Sequence, residues 1–154
     1  MELTTILKPE AVKCVGKITS KKRLFQELGD IAGSVYGLDT SVVTDALLER
    51  ENLGPTGVGH GVALPHARVE GLESVVGVVL RLEQPLEFNA VDRLPVDLVF
   101  ALFAPKDAGV EHLKALALVS RTMREEGTCK KLRANGVDAT LFAILTEAQE
   151  TQAA

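Results

Sequence analysis

At 154 residues, 46% of them apolar and 25% charged, the chain has the makings of a single globular domain, expected to span residues 1–154. A net charge of −4, with no basic stripe interleaved with aromatics, argues against a nucleic-acid or membrane-surface role. No run approaches the ~18 apolar residues of a membrane span, and the start, Met1-Glu-Leu-Thr-Thr, lacks the basic region of a signal peptide, so a cytoplasmic protein is expected. Cys14 and Cys129 belong to no metal-spacing pattern and are expected as inert, reduced thiols.

In chain order, residues 1–18 read as a turn around Pro9 and a strand over 11–15. Thr19 or Ser20 then caps a helix that buries Leu24, Leu28, Ile31 and Val35 and stops at Gly37. Asp39 or Thr40 caps a second helix, with Val43, Ala46 and Leu47 inward and Arg50 in its last turn, before Gly54-Pro55 ends it. After a glycine-rich stretch come two near-continuous apolar runs, 75–80 and 96–103, the pattern of central strands covered on both faces. Between them, 83–88 reads as a short edge element and 89–95 as a loop. A long helix follows, with Val110, Leu113, Leu116, Val119 and Met123 on its inner face and Gly127 closing it. A short helix over 128–134, a final one from Asp138 burying Leu141, Ile144 and Leu145, and a frayed tail over 149–154 complete the chain. Helices in blocks around a mixed set of strands make the expected fold an α/β one, a mixed β-sheet sandwiched between helices.

The stretch from Thr56 to Arg68 organises the rest. Gly57, Gly59 and Gly61 alternate along it, and glycines so spaced let other groups approach the backbone closely. Pro65 fixes its own φ and biases Leu64 to extended geometry, so His66 is delivered at a strand end on a stiff mount. His60 lies an even number of positions before His66 and would share its face on an unbroken strand. His112 falls in the first turns of the long helix, just after a strand end, where open α/β sheets place ligands and helix N-termini attract phosphate.

Three chemistries compete for these residues. A zinc site from the three histidines lacks a close ligand pair such as H-x-x-x-H and an evident cysteine or carboxylate. A hydrolase lacks a G-x-S-x-G elbow and a glycine-rich loop ending in Gly-Lys-Ser/Thr. A phosphohistidine relay needs a neutral imidazole as nucleophile, with a second imidazole, an arginine and backbone N–H groups to neutralise charge. The chain offers all of these parts, and no cofactor or metal is called for.

From Glu51 to Ala67 the sequence resembles the signature of the fructose/mannitol-type enzyme IIA family of the bacterial phosphotransferase system. Glu51, Val58, Gly59, Val62, Ala63, Leu64, Pro65, His66 and Ala67 fit its nine constrained places over seventeen residues. The likeness continues through Pro95–Leu102 and Pro105 to His112-Leu113, reaches Cys129–Arg133, and within the family is greatest to the nitrogen-regulatory branch. The resemblance implies that His66 is phosphorylated at Nε2 by a histidine-phosphorylated carrier protein. It further implies that His112 holds the phosphoryl group, that Arg50 supplies positive charge, and that the fold is a mixed sheet flanked by helices. His60 stands where relatives often have an amide or acid, and Arg68 is a possible carrier contact or a solvated loop cation.

With no fused second domain evident, the resemblance favours a freestanding regulator whose phosphorylation state controls partners such as ion-transport or sensor-kinase components. The alternatives are a sugar-specific enzyme IIA passing phosphate to a separate IIB, and a binding module that acts without phosphate.

Overall fold

Two apolar runs form the centre of the molecule because neither has a polar face to show to water. In the computed structural model, which describes the backbone of residues 1–153 and the side chains of residues 1–148, every residue from Leu98 to Ala104 is buried. Chain order is α1 (Leu3–Ile6), a 3-10 turn (Pro9–Ala11), β1 (Val12–Val15), α2 (Lys21–Tyr36), α3 (Thr40–Leu53), β2 (Gly57–Gly59), β3 (Val62–Ala63) and β4 (His66–Arg68). β5 (Val76–Leu86), β6 (Val96–Ala104), α4 (Val110–Arg124), α5 (Glu126–Arg133) and α6 (Asp138–Ala153) follow.

The six strands make one mixed sheet in the order β1-β5-β6-β3-β2, with β4 also on β6. β5 and β6 are antiparallel, while β1 on β5 and both β3 and β4 on β6 are parallel. Helices α2 and α3 pack on each other, and α4 and α6 lie with α1 and α5 in a second group. This is the mixed α/β fold expected from the sequence. Its core is one continuous aliphatic cluster, completed by Phe25, Phe88, Phe100 and Phe103.

The helix boundaries follow local chemistry. Of the two caps considered for α2, Ser20 does the work: its Oγ accepts from Arg23 N–H at 3.1 Å. Gly37 ends α2 at φ 73°, the left-handed stop that glycine tolerates best. The Asp39 carboxylate caps α3 through Val42 N–H at 3.1 Å. Gly29 and Gly33 let α2 and α3 touch: a Cβ on Gly29 would lie 2.6 Å from Thr44 Oγ1 and 2.9 Å from the Thr40 carbonyl.

Several expectations need correction. Residues Leu3–Ile6 form a helical turn, with Leu3 and Ile6 buried, where only a turn was expected. The segment over 83–86 is no separate edge element but the end of β5, continuing past an irregularity to pair Leu86 with Val96. On α4 the inward ridge is His112, Ala115, Leu118, Val119, Thr122 and Met123, whereas Val110 and Leu113 are 64% and 68% exposed. Gly127 does not close α4; the extended backbone of Glu125 does, and Gly127 sits inside α5. The tail expected to fray is helical in its backbone to Ala153, and Ala154 lies outside the described residues.

Candidate functional site

β3 and β4 are two halves of one strand. Val62 pairs with Leu98 and His66 with Leu102, so the register on β6 is the same on both sides of the break at Leu64-Pro65. The Pro65 carbonyl still accepts from Leu102 N–H at 2.9 Å, which keeps the break flush with the sheet. Having no N–H, Pro65 cannot donate to the ladder, and the strand is interrupted there. What the break changes is the Leu64 carbonyl, which lies 2.9 Å from His66 Nδ1.

That contact fixes the tautomer. A carbonyl oxygen only accepts, so in the neutral ring Nδ1 carries the proton and Nε2 keeps its lone pair. Burial is the main cause that holds the His66 pKa below its ordinary value of 6.5, and the nearby Arg50 charge works in the same direction. The Leu64 hydrogen bond and Glu51 oppose it without reversing it. His66 is therefore a neutral imidazole with a free Nε2 at neutral pH.

The second histidine meets it from across the sheet edge. β6 ends at Ala104, the chain turns over Pro105, and α4 brings His112 to His66 with ring centroids 5.7 Å apart and planes at 69°. His112 is 6% exposed, and its Nε2 is buried without a hydrogen-bond partner among the described residues. Its pKa is also lowered, first by burial, then by His66 and Arg68. Two neutral rings thus meet edge to face in a setting that disfavours protonating either.

Two arginines border the pair. Arg50, in the last turn of α3, donates from Nη1 to the Gly54 carbonyl at 3.0 Å, which holds its charge close enough to act on His66. Arg68, two residues beyond His66 on β4, donates from Nη1 to the Lys106 carbonyl at 3.0 Å and acts on His112. Glu51 ties α3 to the loop that leads into the site. Its carboxylate accepts from Thr56 Oγ1 at 2.6 Å and from Thr56 N–H, and pairs with Lys21 Nζ at 2.9 Å. Lys21 in turn lies 4.5 Å over the Phe88 ring.

The structure therefore brings His66, His112 and Arg50 together and adds Arg68, whose place beside His112 the sequence left open. It separates His60. That residue sits beyond Gly61 in the turn between β2 and β3, at φ 56° and exposed, so the three histidines do not converge. From Val62 to His66 alone is four residues along the strand, roughly 13 Å. The alternating glycines serve this distant turn rather than the histidine pair. Gly57 makes room for Ala90, whose Cβ would lie 2.7 Å from an added Cβ, and Gly61 for the Arg133 guanidinium at 2.6 Å. Among the described residues no group of three or more His, Cys, Asp or Glu side chains could hold a metal ion, and no helix is long and apolar enough to cross a membrane.

Residues 5–148 match the family described as the phosphoenolpyruvate-dependent sugar phosphotransferase system, EIIA 2. The chain belongs to this family. It is 43% identical over 145 residues to a nitrogen regulatory protein of Bradyrhizobium diazoefficiens, covering 94% of this chain and 95% of that one. It is 37% identical over 152 residues to the nitrogen regulatory protein of Escherichia coli K12, covering 98% and 93%. The crystal structure of the nitrogen regulatory protein IIA-Ntr from Neisseria meningitidis superposes with a TM-score of 0.84 at 34% identity, over 92% of this chain and 97% of that one. The likeness expected from nine signature positions thus extends over the fold and nearly the full length of these relatives.

Proposed function

We propose that this enzyme IIA is a phosphohistidine relay and regulator of the nitrogen type, working in the cytoplasm. The single observation that carries the reading is the hydrogen bond between His66 Nδ1 and the Leu64 carbonyl, which leaves Nε2 as the nucleophile. In the step, the Nε2 lone pair of His66 attacks the phosphorus held on the carrier's histidine. The P–N bond to the carrier breaks, and its electron pair returns to the carrier's imidazole. His66 keeps its Nδ1 proton throughout, and the Leu64 carbonyl steadies the cationic ring character that develops. His112 supplies a buried ring nitrogen for a phosphoryl oxygen, and Arg50 offsets the incoming negative charge.

The apolar residues that rim the pair suit a protein donor. Val110 and Leu113 are exposed in the first turn of α4, which also carries His112 on its buried side, and Leu53, 83% exposed, follows Arg50 at the end of α3. A phosphoryl group placed among them adds charge to an apolar surface, and this change would select which partners dock, ion-transport or sensor-kinase components among them.

The test is intact-mass measurement after incubation with phosphoenolpyruvate, enzyme I and the histidine carrier. An acid-labile gain of one phosphoryl group, absent in His66→Ala, is expected. No gain with a carrier shown to be active on another acceptor would overturn the relay and leave a binding module that acts without phosphate.

A further inference from the structure

Away from His66, at the Asp97 end of β6, lies a cleft of about 860 Å³. Its size falls within the range of roughly 300–1,000 Å³ in which small-molecule sites are found. His66, His112 and Arg50 take no part in its lining.

Its rim is built to hold its shape. The turn at its mouth places Gly59, His60 and Gly61 in succession at φ 100°, 56° and 78°. A non-glycine residue at such a φ is held there only by its surroundings. Here Asp92 accepts from His60 N–H at 2.8 Å, and Arg133 Nη2 donates to the His60 carbonyl at 2.8 Å. Arg133 also closes two sides of its guanidinium on Asp97, with Nε 2.9 Å from Oδ2 and Nη2 2.9 Å from Oδ1.

The lining has two characters. Val58, Leu94, Pro95 and Met123 give it apolar walls, and Val58 and Leu94 are half exposed, so the walls are open to a ligand. Three cations, Arg124, Lys130 and Arg133, face two carboxylates, in a protein whose net charge is −4. Asp97 is taken up by Arg133. Arg124 spends one N–H on Ser120 Oγ, and the Lys130 ammonium has no partner among the described residues. Glu126 is thus the one lining carboxylate left to answer two exposed cations.

We propose that this cleft binds a small organic anion, one with an apolar body seated against Val58, Leu94 and Met123 and a charged end between Arg124 and Lys130. Neither half of the lining suits another class as well. A fully polar metabolite would leave the apolar wall wet, and a neutral hydrophobe would leave the two cations unanswered.

The test uses anilinonaphthalene sulfonate as the probe, titrated into the intact protein and followed by fluorescence and by backbone amide shifts. One saturable site is expected, with shifts concentrated at Gly59, Gly61 and Lys130. Replacing Arg124 and Lys130 together by alanine weakens binding by about fivefold or more, since each partly exposed ion pair contributes modestly. The uncharged N-phenylnaphthylamine, the same ring system without the sulfonate, binds weaker by a similar factor. Leu113→Ser, at the apolar rim near His66, leaves the affinity unchanged. Shifts centred on Leu113, an affinity unaltered in the Arg124→Ala/Lys130→Ala protein, equal binding of the uncharged probe, or no saturable site would each overturn the proposal.

Discussion

At His66 a single carbonyl decides which ring nitrogen keeps its lone pair, and desolvation of the half-buried ring lowers its pKa. Both site histidines have pKa values lowered from 6.5, in each case chiefly by burial. A histidine lowered in this way binds fewer protons folded than unfolded, so stability rises with pH through that range. The contribution is complete above about 6.5, the ordinary histidine value, and is lost as pH falls towards the lowered folded-state pKa. Imidazole titration by NMR should therefore give midpoints below 6.5 for His66 and His112. Urea midpoints should fall on acidification below that value, and the fall should be smaller when both rings are replaced by glutamine. Midpoints above 6.5 would mean that the rings are wetter than their packing indicates. His112 also bears on the balance between stability and function. A buried polar atom left without a partner costs about 1–3 kcal/mol, and His112 Nε2 is such an atom. His112→Leu should stabilise the unphosphorylated protein by about 1 kcal/mol in urea unfolding while shortening the lifetime of the phosphoryl group on His66. Loss of stability in this variant would show that the nitrogen is satisfied in solution.

The elements are held at the site by contacts between residues distant in sequence, and these mark the limit of what the chain could reveal by itself. Glu51 joins the end of α3 to Thr56 and Lys21, and Glu51→Ala should cost about 2–4 kcal/mol because it strands buried donors. The same change should slow phosphoryl acceptance, since Arg50 and the strand leading to His66 lie on either side of that junction. Unchanged stability would show that Thr56 finds water instead. Gly29→Ala forces a Cβ against Thr44 and the Thr40 carbonyl, and should cost about 1–3 kcal/mol as α2 and α3 separate. Periodicity and caps made α2, α3, β5 and β6 legible because these features are local: Ser20 and Asp39 precede their helices, and the runs that became β5 and β6 have no polar face. Pro65 likewise announced the mount of His66. The glycines did not disclose their use, because what fills the space beside Gly57 and Gly61 is Ala90 and Arg133, far along the chain. Nor did α4 disclose its inner face. Its apolar residues fit two neighbouring ridges, and hydrophobicity alone assigned Val110 and Leu113 to the core while the structure gave that place to His112 and Ala115.

At the scale of the whole molecule, β6 separates two regions of different character. Its Leu102–Ala104 end carries the histidine pair between two arginines and an apolar rim, and its Asp97 end carries the cleft. On the proposed function, the exposed residues of α4 would serve the first region as a surface for a protein. Leu113 exposes a large apolar side chain one position from His112, and on the proposed function a partner docking at His66 would cover it. Apolar residues beside a reactive centre contribute docking affinity without contacting the atoms that react, which is uniform binding and is read in KM rather than kcat. Leu113→Asp should therefore raise the KM for the phosphorylated carrier, lowering kcat/KM at least about tenfold, or ~1.4 kcal/mol. Because Leu113 is 68% exposed, unfolding free energy should stay within about 0.5 kcal/mol of the parent. Lys114→Ala, on the same exposed side of α4, serves as the control and should change neither quantity appreciably. If Leu113→Asp accepts phosphate from the carrier at the parental KM, the carrier docks elsewhere and the apolar rim belongs to the regulated partners instead.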